Sequence, residues 1–218
     1  GAAPFPPEYI KAFEEVVGKG KLVEVLGMTE TSPVHMGLPH YGMKKPGSVG
    51  IPFPDTEVKL IDPDSGDIVP VGEPGELIVK GPSVMRGYHN KPDETGKVLS
   101  ADGWFRTGDI ARLDADGYLS ITGRIKDMLI IGGENVYPAE VEKVILEHSG
   151  IEKTVVFGVP DPKWKEGIKA VCTLEAGSRL SGEELIAFVG ERIARYKKPQ
   201  PIDQFAVFVP ETRIGIMG

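Results

Sequence analysis

The sequence predicts an α+β protein in two parts, a small β-barrel-like set of strands followed by a compact α+β unit. Three observations carry this reading. From Ser48 to Ile121, short apolar runs alternate with turn stretches such as Asp62-Pro63-Asp64-Ser65-Gly66, Asp102-Gly103 and Asp116-Gly117, the texture of a small barrel or a strongly bent sheet. From Met128 onward, strand patterns alternate with amphipathic helix patterns in the order β-α-β-β-α-β. Between them lies the charged segment Arg124-Ile125-Lys126-Asp127, where the boundary is expected, giving domains 1–125 and 126–218.

Each element follows from local pattern. Residues 7–18 read as a helix, with Tyr9, Ile10, Phe13, Val16 and Val17 on one face and Gly18 suited to its end. Residues 22–26 form a short strand leading into Gly27-Met28-Thr29-Glu30, and residues 31–46 read as a loop. Strands are expected at 58–61 and 76–80. Beyond the boundary, 128–131 is a strand, and 138–148 is a helix burying Val141, Val144, Ile145 and His148. Residues 154–158 and 168–174 are strands. A helix over 181–195 starts at a capping box formed by Ser181 and Glu184, and buries Leu185, Ile186, Phe188, Val189 and Ile193. Residues 205–209 form a last strand.

Composition narrows the function. A net charge of −7 over 218 residues excludes a general nucleic-acid binder, because phosphate neutralisation needs a basic surface. No apolar run approaches the ~20 residues of a transmembrane helix, and residues 1–7 do not read as a signal peptide. The single Cys172 excludes an intramolecular disulfide and suits a reducing, cytoplasmic compartment. His35, His40, His89 and His148 lack metal-ligand spacing.

The chemistry concentrates in residues 104–140. Arg106-Thr107-Gly108-Asp109 sets a carboxylate in a glycine turn, Gly123-Arg124-Ile125-Lys126-Asp127 follows a β-like run, and Gly132-Gly133-Glu134-Asn135 precedes a helix start at Pro138. A carboxylate accepts hydrogen bonds from a ribose diol, a fixed arginine contacts phosphate or ribose oxygens, and paired glycines let a backbone approach a ligand. Each turn alone is equally an ordinary Asx turn, surface ion pair or strand-to-helix loop. Their order and spacing, together with Gly27-Met28-Thr29-Glu30, resemble the adenylate-forming enzyme superfamily, in particular its acyl-CoA synthetases, over essentially the whole chain.

The resemblance implies ATP, Mg²⁺ and CoA as cofactors and a carboxylic acid as substrate. Residues 1–125 would be the later part of the large AMP-binding domain, and 126–218 the mobile C-terminal domain. Thr29 would contact phosphate oxygens and Glu30 would help hold Mg²⁺. Asp109 would accept the ribose hydroxyls, and Arg124 would contact ribose or phosphate. Lys126 falls at the hinge. Gly132, Gly133 and Glu134 would line the pantetheine channel, and Trp164 would pack near CoA. Gly75-Glu76-Leu77 and Gly87-Tyr88 match a further signature and read as structural.

The chain departs from the family pattern in three places. Leu26 stands where an aromatic residue usually stacks on adenine. The Ser/Thr/Gly-rich phosphate loop does not occur and is expected upstream, in a longer parent. The C-terminal motif reads Pro210-Glu211-Thr212-Arg213-Ile214-Gly215-Ile216. Ungapped, this puts Ile216 at the position of a catalytic lysine; with a one-residue gap, the lysine falls between Gly215 and Ile216 and is not in the sequence. An isoleucine there supplies no charge, and losing one such contact costs about 3 kcal/mol in the barrier. Three rival readings remain: a non-catalytic fragment or pseudoenzyme that binds nucleotide or CoA, an amino-acid-activating peptide synthetase domain, and a luciferase-like enzyme. The oligomeric state, a homo-oligomer included, is open.

Overall fold

The computed structural model describes residues 7–131, 133–161 and 165–193, and its first element is helix α1 (Pro7–Val17), which the apolar spacing predicts. Of the expected stripe, Ile10 is buried, whereas Phe13, Val16 and Val17 are exposed. Strands β1 (Val25–Gly27), β2 (Val34–Gly37) and β3 (Ile51–Pro52) form an antiparallel sheet in that order. Strand β2 and a 3-10 turn at Thr29–Thr31 replace part of the loop expected over 31–46. Gly27 is dictated by this crossing: a Cβ there would lie 1.8 Å from the Pro33 carbonyl oxygen.

The next elements are β4 (Glu57–Ile61), β5 (Pro74–Lys80), helix α2 (Pro92–Val98), β6 (Phe105–Leu113) and β7 (Leu119–Arg124). The four strands form one antiparallel sheet in sequence order. It is not a closed barrel, which corrects the barrel-like expectation. Among the described residues, β7 and β4 add to their ladder partners the isolated bridges Gly50–Leu119 and Ile61–Ile68. Four strands enclose no interior wide enough for side chains, so the sheet stays open and builds a core on one face, with β5 buried on both. That face carries Leu60, Leu77, Val79, Ala111 and Leu119, packed with Met36 of β2. Each large side chain buried there contributes about 1.5–3 kcal/mol. Leu26 packs against this same core rather than standing clear of it.

Helix α2 was not expected, yet its signals are local: Pro92 in the first turn, Asp93 and Glu94 beside it, and Lys97 in the last turn. The β6–β7 hairpin turns at Asp114, whose Oδ1 accepts from the amides of Asp116 and Tyr118, each at 2.9 Å. Lys45 bridges Asp114 and Asp116 at 2.5 and 2.6 Å, and with the Tyr118 amide it holds the Asp114 carboxyl below its usual range. Ahead of β6, the Trp104 ring lies under two cations, Lys59 Nζ at 4.1 Å and Lys80 Nζ at 5.8 Å from its centroid.

The residues from Lys126 onward form a second compact unit. After a 3-10 turn at Ile125–Asp127 come β8 (Leu129–Ile131), β9 (Glu134–Val136), helix α3 (Pro138–Leu146), β10 (Ile151–Asp161), β11 (Lys165–Leu174) and helix α4 (Gly182–Gly190). Strand β9 is additional to the expected order. It pairs with β8 antiparallel, Ile131 opposite Glu134, and Gly133 is a turn residue just before Glu134. Strands β10 and β11 form a long antiparallel ribbon. Both helices contribute to one core with these strands, through Val141 and Ile145 of α3, Leu185 and Val189 of α4, and Val156, Ile168 and Cys172 of the ribbon. Burial pushes the Cys172 thiol pKa up, as for an inert core cysteine. The capping box occurs as expected: Ser181 Oγ accepts from the Glu184 amide at 3.3 Å, and Glu184 Oε2 accepts from the Ser181 amide at 2.9 Å. Helix α4 ends at Gly190, with Glu191 as its C-cap, shorter than the 181–195 expected, because Gly190 breaks the helical run. The strand expected at 205–209 lies outside the described residues.

Candidate functional site

A register shift builds the centre of the site. Along β5–β6, Glu76 pairs with Ile110 and Ile78 pairs with Arg106, so Thr107, Gly108 and Asp109 stand opposite Leu77 alone. The extra residues form a β-bulge, with Gly108 in the left-handed region at φ 72°. Side chains tie the bulge down. Thr107 Oγ1 donates to the Leu77 carbonyl at 2.8 Å and accepts from the Asp109 amide at 3.0 Å. Glu76, whose side chain is 3% exposed, accepts from Arg106 Nε at 2.8 Å, from Arg106 Nη2, and from the Gly108 amide at 3.3 Å. The Glu76 carboxylate pushes the Arg106 pKa further up.

Asp109 leaves the bulge directly opposite Arg124 of β7, and Arg124 Nε donates to Asp109 Oδ1 at 2.9 Å. Paired positions of neighbouring strands present their side chains on one face, so this contact follows from register. The Asp109 side chain is 5% exposed and that of Arg124 52% exposed. An open pocket of about 490 Å³ adjoins this pair, with Glu30, Glu76, Tyr88, Lys97, Arg106 and Arg124 among its charged and polar walls. Asp109 is not on its wall.

The other predicted residues divide between the two units. Glu30 is on the pocket wall, and its Oε1 accepts from the Tyr88 hydroxyl at 3.0 Å. Burial first, and Glu30 second, raise the Tyr88 pKa. Thr29 sits in the same 3-10 turn but is exposed and off the wall. Lys126 is exposed in the turn that opens the second unit, and Gly133 and Glu134 are exposed at the β8–β9 hairpin. Gly132 and Trp164 lie outside the described residues.

Sequence reasoning passed over Glu76 and Tyr88 as structural. A signal was present for the first: Glu76 directly precedes the apolar run Leu77-Ile78-Val79 and lies within the buried stretch of its strand. Among the described residues no three His, Cys, Asp or Glu side chains cluster as a metal cage. Glu30 alone still fits a Mg²⁺ ion bound mainly through a ligand's phosphates, since this cation commonly uses one or two carboxylates.

Beneath the motif turn, His35 is wholly buried on β2, with Nδ1 2.9 Å from Thr31 Oγ1 and Nε2 without a hydrogen-bond partner among the described residues. Thr31 Oγ1 also accepts from the Met28 amide at 3.2 Å, bracing the turn that carries Glu30. Burial lowers the His35 pKa from 6.5 to about 4. The unfolded chain therefore binds the extra proton between those values. The His35 contribution is fully present above the unfolded pKa and is lost as pH falls towards about 4, a loss of about 3 kcal/mol. Denaturant melts across that window should show a steeper acid loss for the parent sequence than for His35→Gln. Parallel pH profiles would remove His35 as the cause.

Comparison with known proteins agrees with the motif order. The profile of the AMP-binding enzyme family matches residues 1–89, and that of the AMP-binding enzyme C-terminal domain matches residues 140–215. A long-chain-fatty-acid–CoA ligase of Bacillus subtilis is 45% identical over 215 residues, 99% of this chain and 38% of that protein. A feruloyl-CoA synthase of Amycolatopsis sp is 44% identical over 217 residues, 99% of this chain and 43% of that one. The chain thus spans about two-fifths of the length of these relatives. ATP-bound MatB from Rhodopseudomonas palustris aligns with a TM-score of 0.84 at 34% identity, over 91% of this chain and 39% of that one. O-succinylbenzoate coenzyme A synthetase from Bacillus subtilis, in complex with AMP, aligns at 0.76 and 35% identity, over 91% and 40%. With both family profiles in order along one sequence, and acyl-CoA ligases similar to nearly all of it, the chain belongs to the adenylate-forming enzymes of the acyl-CoA synthetase type.

Proposed function

We propose that this chain is the adenosine-side wall and the thioester-forming C-terminal domain of an ATP-dependent carboxylic acid–CoA ligase. In the first half-reaction the substrate carboxylate attacks the α-phosphorus of ATP, the bond to the β-phosphate oxygen breaks, and pyrophosphate leaves. In the second, the CoA thiol gives up its proton, attacks the acyl carbon, and AMP leaves with the bonding electrons. The observation that carries this reading is the Asp109–Arg124 pair beside a pocket that also holds Glu30.

The residues divide the work by chemistry. Asp109 accepts the ribose hydroxyls, since a carboxylate offers about four acceptor directions. Arg124, half exposed, is free to exchange part of that contact for ligand oxygens. Thr29 contacts phosphate oxygens. Glu30, oriented by Tyr88, would hold Mg²⁺ together with the phosphates, whose charge the cation offsets. Gly132, Gly133 and Glu134 line the path of the pantetheine arm, Trp164 packs near CoA, and Lys126 is the hinge about which residues 126–218 move between the half-reactions. The lone, buried Cys172 is compatible with a reducing cytoplasm. No helix among the described residues is long and apolar enough to cross a membrane.

The test uses the full-length enzyme with ATP, Mg²⁺, CoA and a panel of short-chain, fatty and aryl acids. Acid-dependent release of pyrophosphate, followed by CoA-dependent release of AMP and a thioester product, is expected. AMP or CoA binding without acid-dependent pyrophosphate release across the panel would favour a nucleotide-binding pseudoenzyme, the reading that Ile216 supports.

A further inference from the structure

We infer that Glu76 is a positioning residue whose buried carboxylate holds the bulge carrying Asp109 and thereby sets how strongly the site prefers a ribose diol. The inference rests on Asp109 as the ribose acceptor.

The geometry is specific to a carboxylate. A bulge leaves backbone groups outside the strand ladder, and here they must be satisfied close to the core. One oxygen of Glu76 takes the Gly108 amide and the other takes two donors of Arg106, whose Nη2 also donates to the Pro63 carbonyl at 3.0 Å. Acceptors are therefore needed on both oxygens. A glutamine of the same size offers one, and turns an NH₂ group towards donors. A residue needed only to fill this strand position would be apolar, because a buried charge gains little over a hydrophobic side chain of equal volume. Glu76 instead reaches the middle residue of the bulge, Gly108, which directly precedes Asp109. The Thr107 hydroxyl holds the opposite side, between the Leu77 carbonyl and the Asp109 amide. Asp109 thus enters its pairing with Arg124 from a backbone fixed on both flanks. Loosening either flank moves the carboxylate relative to the ligand.

The readout is nucleotide choice, which a loss of folded protein would not change. In the full-length enzyme, kcat/KM is measured for ATP and for 2′-deoxy-ATP in the parent, Glu76→Gln, Thr107→Val and Asp109→Asn, with thermal melts of each. In Glu76→Gln the preference for ATP should shrink about tenfold, the worth of one charge-assisted hydrogen bond, mainly through KM. Thr107→Val should move it the same way, and it decides the matter if Glu76→Gln does not fold. An unchanged preference in folded Glu76→Gln, with the preference lost in Asp109→Asn, overturns the role of Glu76 alone. An unchanged preference in Asp109→Asn overturns the ribose reading itself, and this inference with it.

Discussion

Asp109→Ala in the full-length enzyme should weaken ATP and AMP binding by roughly 30- to 800-fold, the effect of losing two charge-assisted hydrogen bonds worth about 2–4 kcal/mol together. The fold should survive. Removing the carboxylate leaves Arg124 without this partner, but its side chain is 52% exposed and water can solvate the guanidinium. The reverse substitution, Arg124→Ala, would strip the ion-pair partner from an enclosed carboxylate and should cost more stability. Calorimetric titration of AMP into Asp109→Ala checks the binding loss, and a thermal melt checks the fold. Unchanged AMP affinity in a well-folded protein would take Asp109 out of the site.

Ile145→Ala should destabilise the second unit by about 2–5 kcal/mol, the range for truncating a fully buried isoleucine. Ile145 is 0% exposed and lies on α3 against the β10–β11 ribbon. If residues 126–218 fold on their own core, amide hydrogen exchange should accelerate across β8 to α4 and stay unchanged across β4 to β7. Equal acceleration in both regions would mean one cooperative core, and would end the reading of Lys126 as a junction between separately folding parts.

Local signals were the legible ones. Ser181 and Glu184 sit three residues apart and cap a helix by their own side chains, so the sequence alone locates its start. The Asp116-Gly117 turn is equally self-contained, because Asp114 satisfies the amides that follow it. Strand β2 escaped notice because Val34-His35-Met36 is too short to show a period, and a buried histidine reads as polar. Strand β9 was hidden because Asn135 and Glu134 are polar and only Val136 faces the core. The open edge of the first unit's sheet is a matter of pairing between distant strands, which turn spacing does not report. The same holds for the site. The residue types at Asp109 and Arg124 could be matched to a motif, but the Glu76–Arg106–Gly108 bonds depend on a register shift between β5 and β6. No local pattern around Glu76 encodes that shift.

The ring of Trp104 has a use outside binding. Lys59 and Lys80 are its cationic neighbours, so its emission should respond to any change that moves those charges. The chain has two tryptophans, and the other, Trp164, belongs to the second unit. Trp164→Phe therefore leaves a fluorophore that reports only on the half of the chain carrying Asp109 and Arg124. That half of the chain thus brings its own optical label, without a dye.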